Sequence, residues 1–195
     1  MDRLHTIATA GYYLALRVGY AFALEEVNAL PPAWIAHYAQ GRLMPFDPTI
    51  RWAFTHDGWT GWEALTDDPR DVLGQAATFG LRHGITAAVW EPASMRALSF
   101  GSFARSDRPF TPGEAAQLQD YLLRRHRALD PPQTLTQAEI AALRGVKNGK
   151  RIKQIAHELG VTEGAVKQRL RNAKEKLSAH TSPQAATLAA RYGLV

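Results

Sequence analysis

The chain contains no cysteine among its 195 residues. That absence excludes disulfide staples, thiolate nucleophiles and cysteine-bound zinc. Long apolar runs are also missing. A membrane helix needs about eighteen uncharged apolar residues, and the most apolar early segment, Ala8 to Leu24, is broken by Arg17. No secretory signal is read at the start, so a soluble cytoplasmic protein without membrane contact is expected. The seven histidines are scattered without metal-ligand spacing, and neither a metal nor a cofactor is expected. One scarcity is local. The first 131 residues hold no lysine, and their 12 Arg against 14 Asp and Glu give a net charge of −2. From Pro132 onward, 11 Lys and Arg against 4 Glu give +7. A near-neutral module followed by a compact basic one is the footprint of a protein whose C-terminal part meets a polyanion.

The two modules join at "LDPPQT", Leu129 to Thr134, where consecutive prolines stop a helix and stiffen the connection. The expected division is a first domain over 1–129, a linker over 130–134 and a basic second domain over 135–195. In the first module "GYYLALRVGYAFALEEV" reads as two strands, and "GITAAVWEPASMRALSFGSFAR" as two more around a turn at Glu91 to Ser94. Helical patterns follow the prolines at Pro31 and Pro32, and recur at Pro48 to Phe54 and at Asp68 to His83, the last with Asp68 as N-cap and Pro69 opening the helix. Thr111 and Glu114 form a capping box for a long closing helix. The order α-β-β-α-α-α-β-β-α predicts an α+β fold, an N-terminal α-β-α sandwich with an antiparallel sheet, followed by a small four-helix helix-turn-helix domain.

In the basic module Thr136 and Glu139 make a second capping box, Gly149 ends the first helix, and Gly160 turns the chain between the second and a third helix capped by Thr162. On a wheel of about 100° per residue, Val166, Leu170, Ala173 and Leu177 form one stripe that must face the core. The opposite face presents Gly164, Lys167, Gln168, Arg171, Asn172 and Glu175. Lysine and arginine donate to the guanine O6 and N7 acceptors, and glutamine pairs bidentately with adenine, all in the major groove of double-stranded DNA. Gly164 lets the first turn approach closely. Arg169, Lys174 and Lys176 flank this face, and with Lys150, Arg151 and Lys153 they are candidates for phosphate contacts. Solubilising charge is the competing explanation for such a face. One such module makes few contacts, so a dimer reading two half-sites is expected. In the fourth helix Ala186, Leu188 and Ala189 suit either a partner surface or core.

The input is sought in "PPAWIAHYAQGRLMPFDPTIRWAFTHDGWTGW". Trp34 and Tyr38 share a helix face, the Asp47-Pro48 pair follows, and Trp62 comes later on a loop. Aromatic rings around one carboxylate suit a small, mostly apolar ligand with a polar head. The same residues also suit a packed core, with Asp47 as an N-cap.

The C-terminal segment from Leu135 resembles the LuxR-type helix-turn-helix of bacterial transcription regulators: Glu139, Leu143 and Gly149 match its glutamate, leucine and glycine, and Lys167 and Arg171 match its base-reading positions. The first module is similar to the autoinducer-binding domain of acyl-homoserine-lactone-dependent LuxR-type regulators. It shares their tryptophan, their tyrosine four later, the Asp-Pro pair, a further tryptophan, and Gly80 and Gly84. The resemblance implies that Trp34 bonds a lactone carbonyl and Asp47 the amide N–H. Tyr38, Pro48 and Trp62 would shape the pocket, and Ser99 would face the acyl chain's amide end or its 3-substituent. Two departures stand out: Leu30 replaces a tyrosine that bonds the amide carbonyl, and only "MDRLHTIATA" precedes the first strand.

The resemblance thus implies a quorum-sensing transcription factor that takes up an N-acyl-homoserine lactone and, as a homodimer, binds a palindromic promoter site. The competing implication is a shortened, ligand-independent or antagonist member that heterodimerises with a full-length regulator. A lactone-opening enzyme using Asp47 as general base lacks a nucleophile–base pair and a metal set, so no catalytic residue is assigned.

Overall fold

The structure is a computed structural model and describes residues 2–19, 23–91, 98–129 and 134–195. It divides into two compact units, Met1–Leu129 and Asp130–Val195. The first unit is an α+β sandwich. A short helix α1 (Asp2–Ile7) precedes strands β1 (Gly11–Val18) and β2 (Ala23–Asn28), and α2 (Pro32–Gln40) and α3 (Pro48–Ala53) follow. Then come β3 (Gly58–Gly61), α4 (Val72–Thr78), β4 (His83–Trp90), β5 (Leu98–Arg105) and α5 (Pro112–Ala128). The five strands form one antiparallel sheet in the order β2-β1-β5-β4-β3.

Strand alternation sorts the side chains onto two faces. Tyr12, Leu14 and Leu16 of β1, Ile85, Ala87 and Val89 of β4 and Phe103 of β5 form one core with Leu118 and Leu122 of α5. Their neighbours Tyr13, Ala15, Ala88 and Phe100 point to the other side, where α2, α3 and α4 gather. The capping box of α5 forms as its T-x-x-E spacing predicts: Thr111 Oγ1 accepts from Glu114 N, while Glu114 Oε2 accepts from Thr111 N at 2.8 Å.

Two local expectations change. Strand β3 was not foreseen: "GWTG" is a poor strand former by itself and is recruited by its pairing with β4. Helix α4 begins at Val72, three residues beyond Pro69, because Asp71 adopts a left-handed φ of 51°. Asp68 still caps it from a distance, its two carboxylate oxygens accepting from Val72 N and Leu73 N at 2.8 Å each. The expected β4–β5 turn beyond Glu91 lies outside the described residues.

The second unit contains, among the described residues, α6 (Gln137–Lys147), α7 (Ile152–Glu158), α8 (Glu163–Lys176) and α9 (Ser182–Arg191). Leu143, Ile155, Val166, Leu170 and Ala173 build its core, joined by Ala185, Ala186 and Ala189 of α9. Leu188 also packs against this core, so the apolar face of α9 serves the module's own interior. Gly160, at φ 62°, makes the α7–α8 turn, and Thr162 caps α8 through Ala165 N at 3.1 Å.

Candidate ligand cavity and DNA-reading helix

Helix α2 is amphipathic and buries Trp34 against α4, where its ring meets Phe79 at 5.6 Å and Tyr38 edge-on at 5.4 Å between centroids. Between these helices and the sheet lies a cavity of about 290 Å³, walled by apolar groups that include Leu30, Ile35, Ile50, Val72, Ala76 and Leu81. Trp34, Tyr38, Asp47 and Trp62 all line it.

Asp47 is nearly buried and tightly held. One oxygen accepts from Thr49 N at 2.8 Å and Thr49 Oγ1 at 2.7 Å, and the other accepts from the Tyr38 hydroxyl at 2.9 Å. It therefore is the N-cap of α3 and a wall of the cavity at once. A carboxylate offers about four acceptor positions, so roughly one remains for a guest. Burial, and then the charge of Asp47, push the Tyr38 phenol above its ordinary pKa, so Tyr38 stays a donor to Asp47. Trp34 is only 5 % exposed, yet its indole N–H donates to no group among the described residues. On a residue that lines the cavity, a donor without a protein partner is available to a ligand acceptor. Trp62 differs: its Nε1 donates to Thr86 Oγ1 at 3.1 Å, so its ring serves as a wall.

Two expected ligand contacts are corrected. Ser99 is fully buried on the opposite face of the sheet, where its Oγ meets His126 Nδ1 at 2.7 Å and accepts from Arg17 N at 2.8 Å. The period of two sends Ser102 to the cavity instead, with its hydroxyl unpartnered among the described residues. Pro48 opens α3 and is buried, but it borders a separate shallow groove, so its contribution is to set the helix that Asp47 caps. Tyr13, Glu26 and Asn28, on β1 and β2, also line the cavity and went unnoticed in the sequence. Their signal was the alternation of those strands, which becomes usable only once the cavity face is known.

In the second unit Val166, Leu170 and Ala173 anchor α8 from behind while Gly164, Lys167, Gln168 and Arg171 are exposed. Gln168 Nε2 donates to Asn172 Oδ1 at 2.8 Å, which aligns two amides along the outer face. Arg151 and Lys153 are exposed at the start of α7, and Arg169 and Lys174 are half-buried at the flanks of α8. Lys150 is partly neutralised by Glu158 at 2.6 Å. Lys176 is not a phosphate contact: its Nζ donates to both oxygens of buried Glu139, at 2.9 and 3.0 Å, and to Thr134 O at 2.7 Å. That ion pair ties the end of α8 to the capping box of α6.

A sandwich that encloses a ligand-sized cavity, in one chain with a helix-turn-helix module, defines a ligand-sensing DNA-binding regulator. Comparison with known proteins gives the particular family. A family model described as the autoinducer binding domain matches residues 23–130, and the model of bacterial regulatory proteins of the luxR family matches 133–189. Regulatory protein SdiA of Escherichia coli (strain K12) is 27% identical over 201 residues, covering 94% of this chain and 83% of its own. The transcriptional activator SolR of Ralstonia nicotianae is 26% identical, covering 89% and 79%, respectively. The crystal structure of E. coli SdiA superposes with a TM-score of 0.54 at 24% identity, over 99% of this chain and 89% of that one. A second SdiA structure, in complex with octanoyl-rac-glycerol, has the same TM-score and identity, over 99% and 87%. The chain belongs to the autoinducer-binding, LuxR-type family of quorum-sensing transcriptional regulators.

Proposed function

We propose that the chain senses an N-acyl-homoserine lactone and, as a homodimer in the cytoplasm, binds a palindromic promoter site. The observation that carries the ligand reading is the Trp34 N–H, unpartnered among the described residues, on the wall of the same cavity as the spare acceptor position of Asp47. A lactone carbonyl takes the first and the ligand's amide N–H takes the second, while the acyl chain covers the apolar wall. Binding to the folded state stabilises it by mass action and so raises the amount of protein competent to pair. In the dimer, two α8 helices enter successive major grooves one helical turn apart. There Lys167, Gln168 and Arg171 meet base edges, helped by Asn172 and the close approach at Gly164. Arg151, Lys153, Arg169 and Lys174, and Lys150 once released from Glu158, lie beside phosphates.

The Trp34→Phe variant tests the ligand reading, because it keeps the aromatic packing and removes only the donor. Leaving a ligand carbonyl unsatisfied costs about 1–3 kcal/mol, so lactone affinity measured by calorimetry should fall about tenfold or more. Melting of the unliganded protein should change little. Equal lactone affinity in the variant would remove Trp34 as the carbonyl donor, whereas no lactone binding by the wild type would favour a ligand-independent member that heterodimerises with another regulator.

A further inference from the structure

The cavity holds a second carboxylate that the ligand reading does not use. Glu26 lies on β2, exposed at the open rim of the cavity, and its Oε1 accepts from the Tyr13 hydroxyl at 3.0 Å, so both residues line the cavity. Its neighbour Glu25 points to the opposite face and pairs with Arg125. Among the described residues, Glu26 has no cationic partner and no Lys, Arg or His lines the cavity. Charged residues on an edge strand ordinarily discourage pairing with another sheet, and β2 is an edge strand. Glu26 is exposed and so meets that role. The role does not ask, however, for a carboxylate that lines a cavity and is held there by a tyrosine from the adjacent strand.

The register adds to this. Tyr13 is paired with Asn28 on one side and with Ser102 on the other, so one row across the sheet presents an amide, a phenol and a hydroxyl to the cavity. Asn28 Oδ1 accepts from Leu30 N at 3.2 Å, which leaves its N–H groups to donate, and the Ser102 hydroxyl is open to either role. Beside this row Glu26 offers only acceptors. The two tyrosine–carboxylate pairs, Tyr38–Asp47 and Tyr13–Glu26, line the same cavity.

We propose that Glu26 determines ligand specificity, selecting an acyl chain that carries a hydroxyl close to its amide over keto-bearing and unsubstituted chains. A hydroxyl donates to the free Glu26 oxygen and accepts from Asn28 or Ser102. A keto oxygen only accepts and meets the carboxylate with like partial charge. An unsubstituted chain covers Glu26 without replacing its water. With two carboxylates, Asp47 and Glu26, and no cation among the described residues of the wall, the cavity also disfavours ring-opened ligands, which carry a carboxylate. This inference rests on the lactone reading above.

The test uses the full-length protein and three octanoyl-homoserine lactones that differ only at the third carbon of the acyl chain: methylene, keto or hydroxyl. A hydrogen bond to a charged acceptor predicts that wild type binds the hydroxyl form on the order of tenfold more tightly than the keto form. In Glu26→Leu that ratio should fall to about one, while affinity for the unsubstituted lactone holds or rises. Glu26→Gln, which keeps shape and one acceptor, should give an intermediate ratio and guards against a variant that fails to fold. A wild-type preference for the keto form, or a hydroxyl preference that survives both substitutions, overturns the assignment of Glu26 while leaving the lactone reading intact. If none of the three binds, the lactone reading fails and takes this inference with it.

Discussion

At the scale of single residues, Arg17 is the least expected feature of the ligand-binding unit. It is fully buried with a left-handed φ of 53°, and its Nε donates to His126 O at 2.9 Å while Nη1 meets Glu91 Oε2 at 2.5 Å. This cluster joins β1, the end of β4 and the last turns of α5 around Ser99. Burial and the Arg17 charge hold the His126 ring below its ordinary pKa of 6.5, and Glu91, 3.4 Å from Nε2, opposes them. A histidine kept neutral by folding contributes stability that is present above its ordinary value. That stability is lost as the pH falls below it, because the unfolded chain then binds the proton more readily. Glu114, lowered from 4.5 to about 2 by Arg108 and by hydrogen bonds from Thr111, has the same sign in a lower window: its contribution is full above 4.5 and is lost as the pH falls toward 2. Melting temperature is therefore expected to drop in two stages on acidification. His126→Gln should flatten the first stage, which sets in as the pH falls below 6.5, and leave the second in place. A variant with the same profile as wild type would show that His126 does not titrate with folding.

At the scale of elements, local signals carried furthest. The boxes at Thr111 and Thr136 were legible because an N-cap and its glutamate lie within one turn, and the Gly160 turn because φ 62° suits glycine. Features decided by a distant partner were not legible. The four residues of β3 exist through β4, and Ser99 and Ser102 could not be assigned to faces before the sheet's neighbours were known. Gly84 shows the same limit from the other side. The resemblance named it, but the reason is that a Cβ there would lie 2.1 Å from the Trp62 ring. Gly84→Ala should displace Trp62 from the cavity wall and lower stability by about 1–3 kcal/mol. Ligand affinity should fall with it, read as a lower melting temperature together with a smaller thermal shift on adding lactone. An unchanged thermal shift would mean that Trp62 is dispensable to the cavity.

At the scale of the whole molecule, charge is divided as function requires. Residues 1–131 sum to −2 and the remainder to +7, so the polyanion-binding potential resides in the helix-turn-helix module and spares the apolar cavity. The arrangement of α8 follows from that module's core: Val166, Leu170 and Ala173 are buried, and the exposed Lys167, Gln168 and Arg171 face outward because those three face inward. The central claim is that occupancy of the cavity governs DNA reading by this helix. Its most direct measurement is fluorescence anisotropy of duplexes selected from a random library, titrated with protein in the presence and absence of lactone. The account predicts that lactone tightens binding to a palindromic duplex, and that Arg171→Ala loses sequence preference while keeping the ligand. Affinity that is the same with and without every lactone tried, or indifference to all duplexes at low salt, would contradict it.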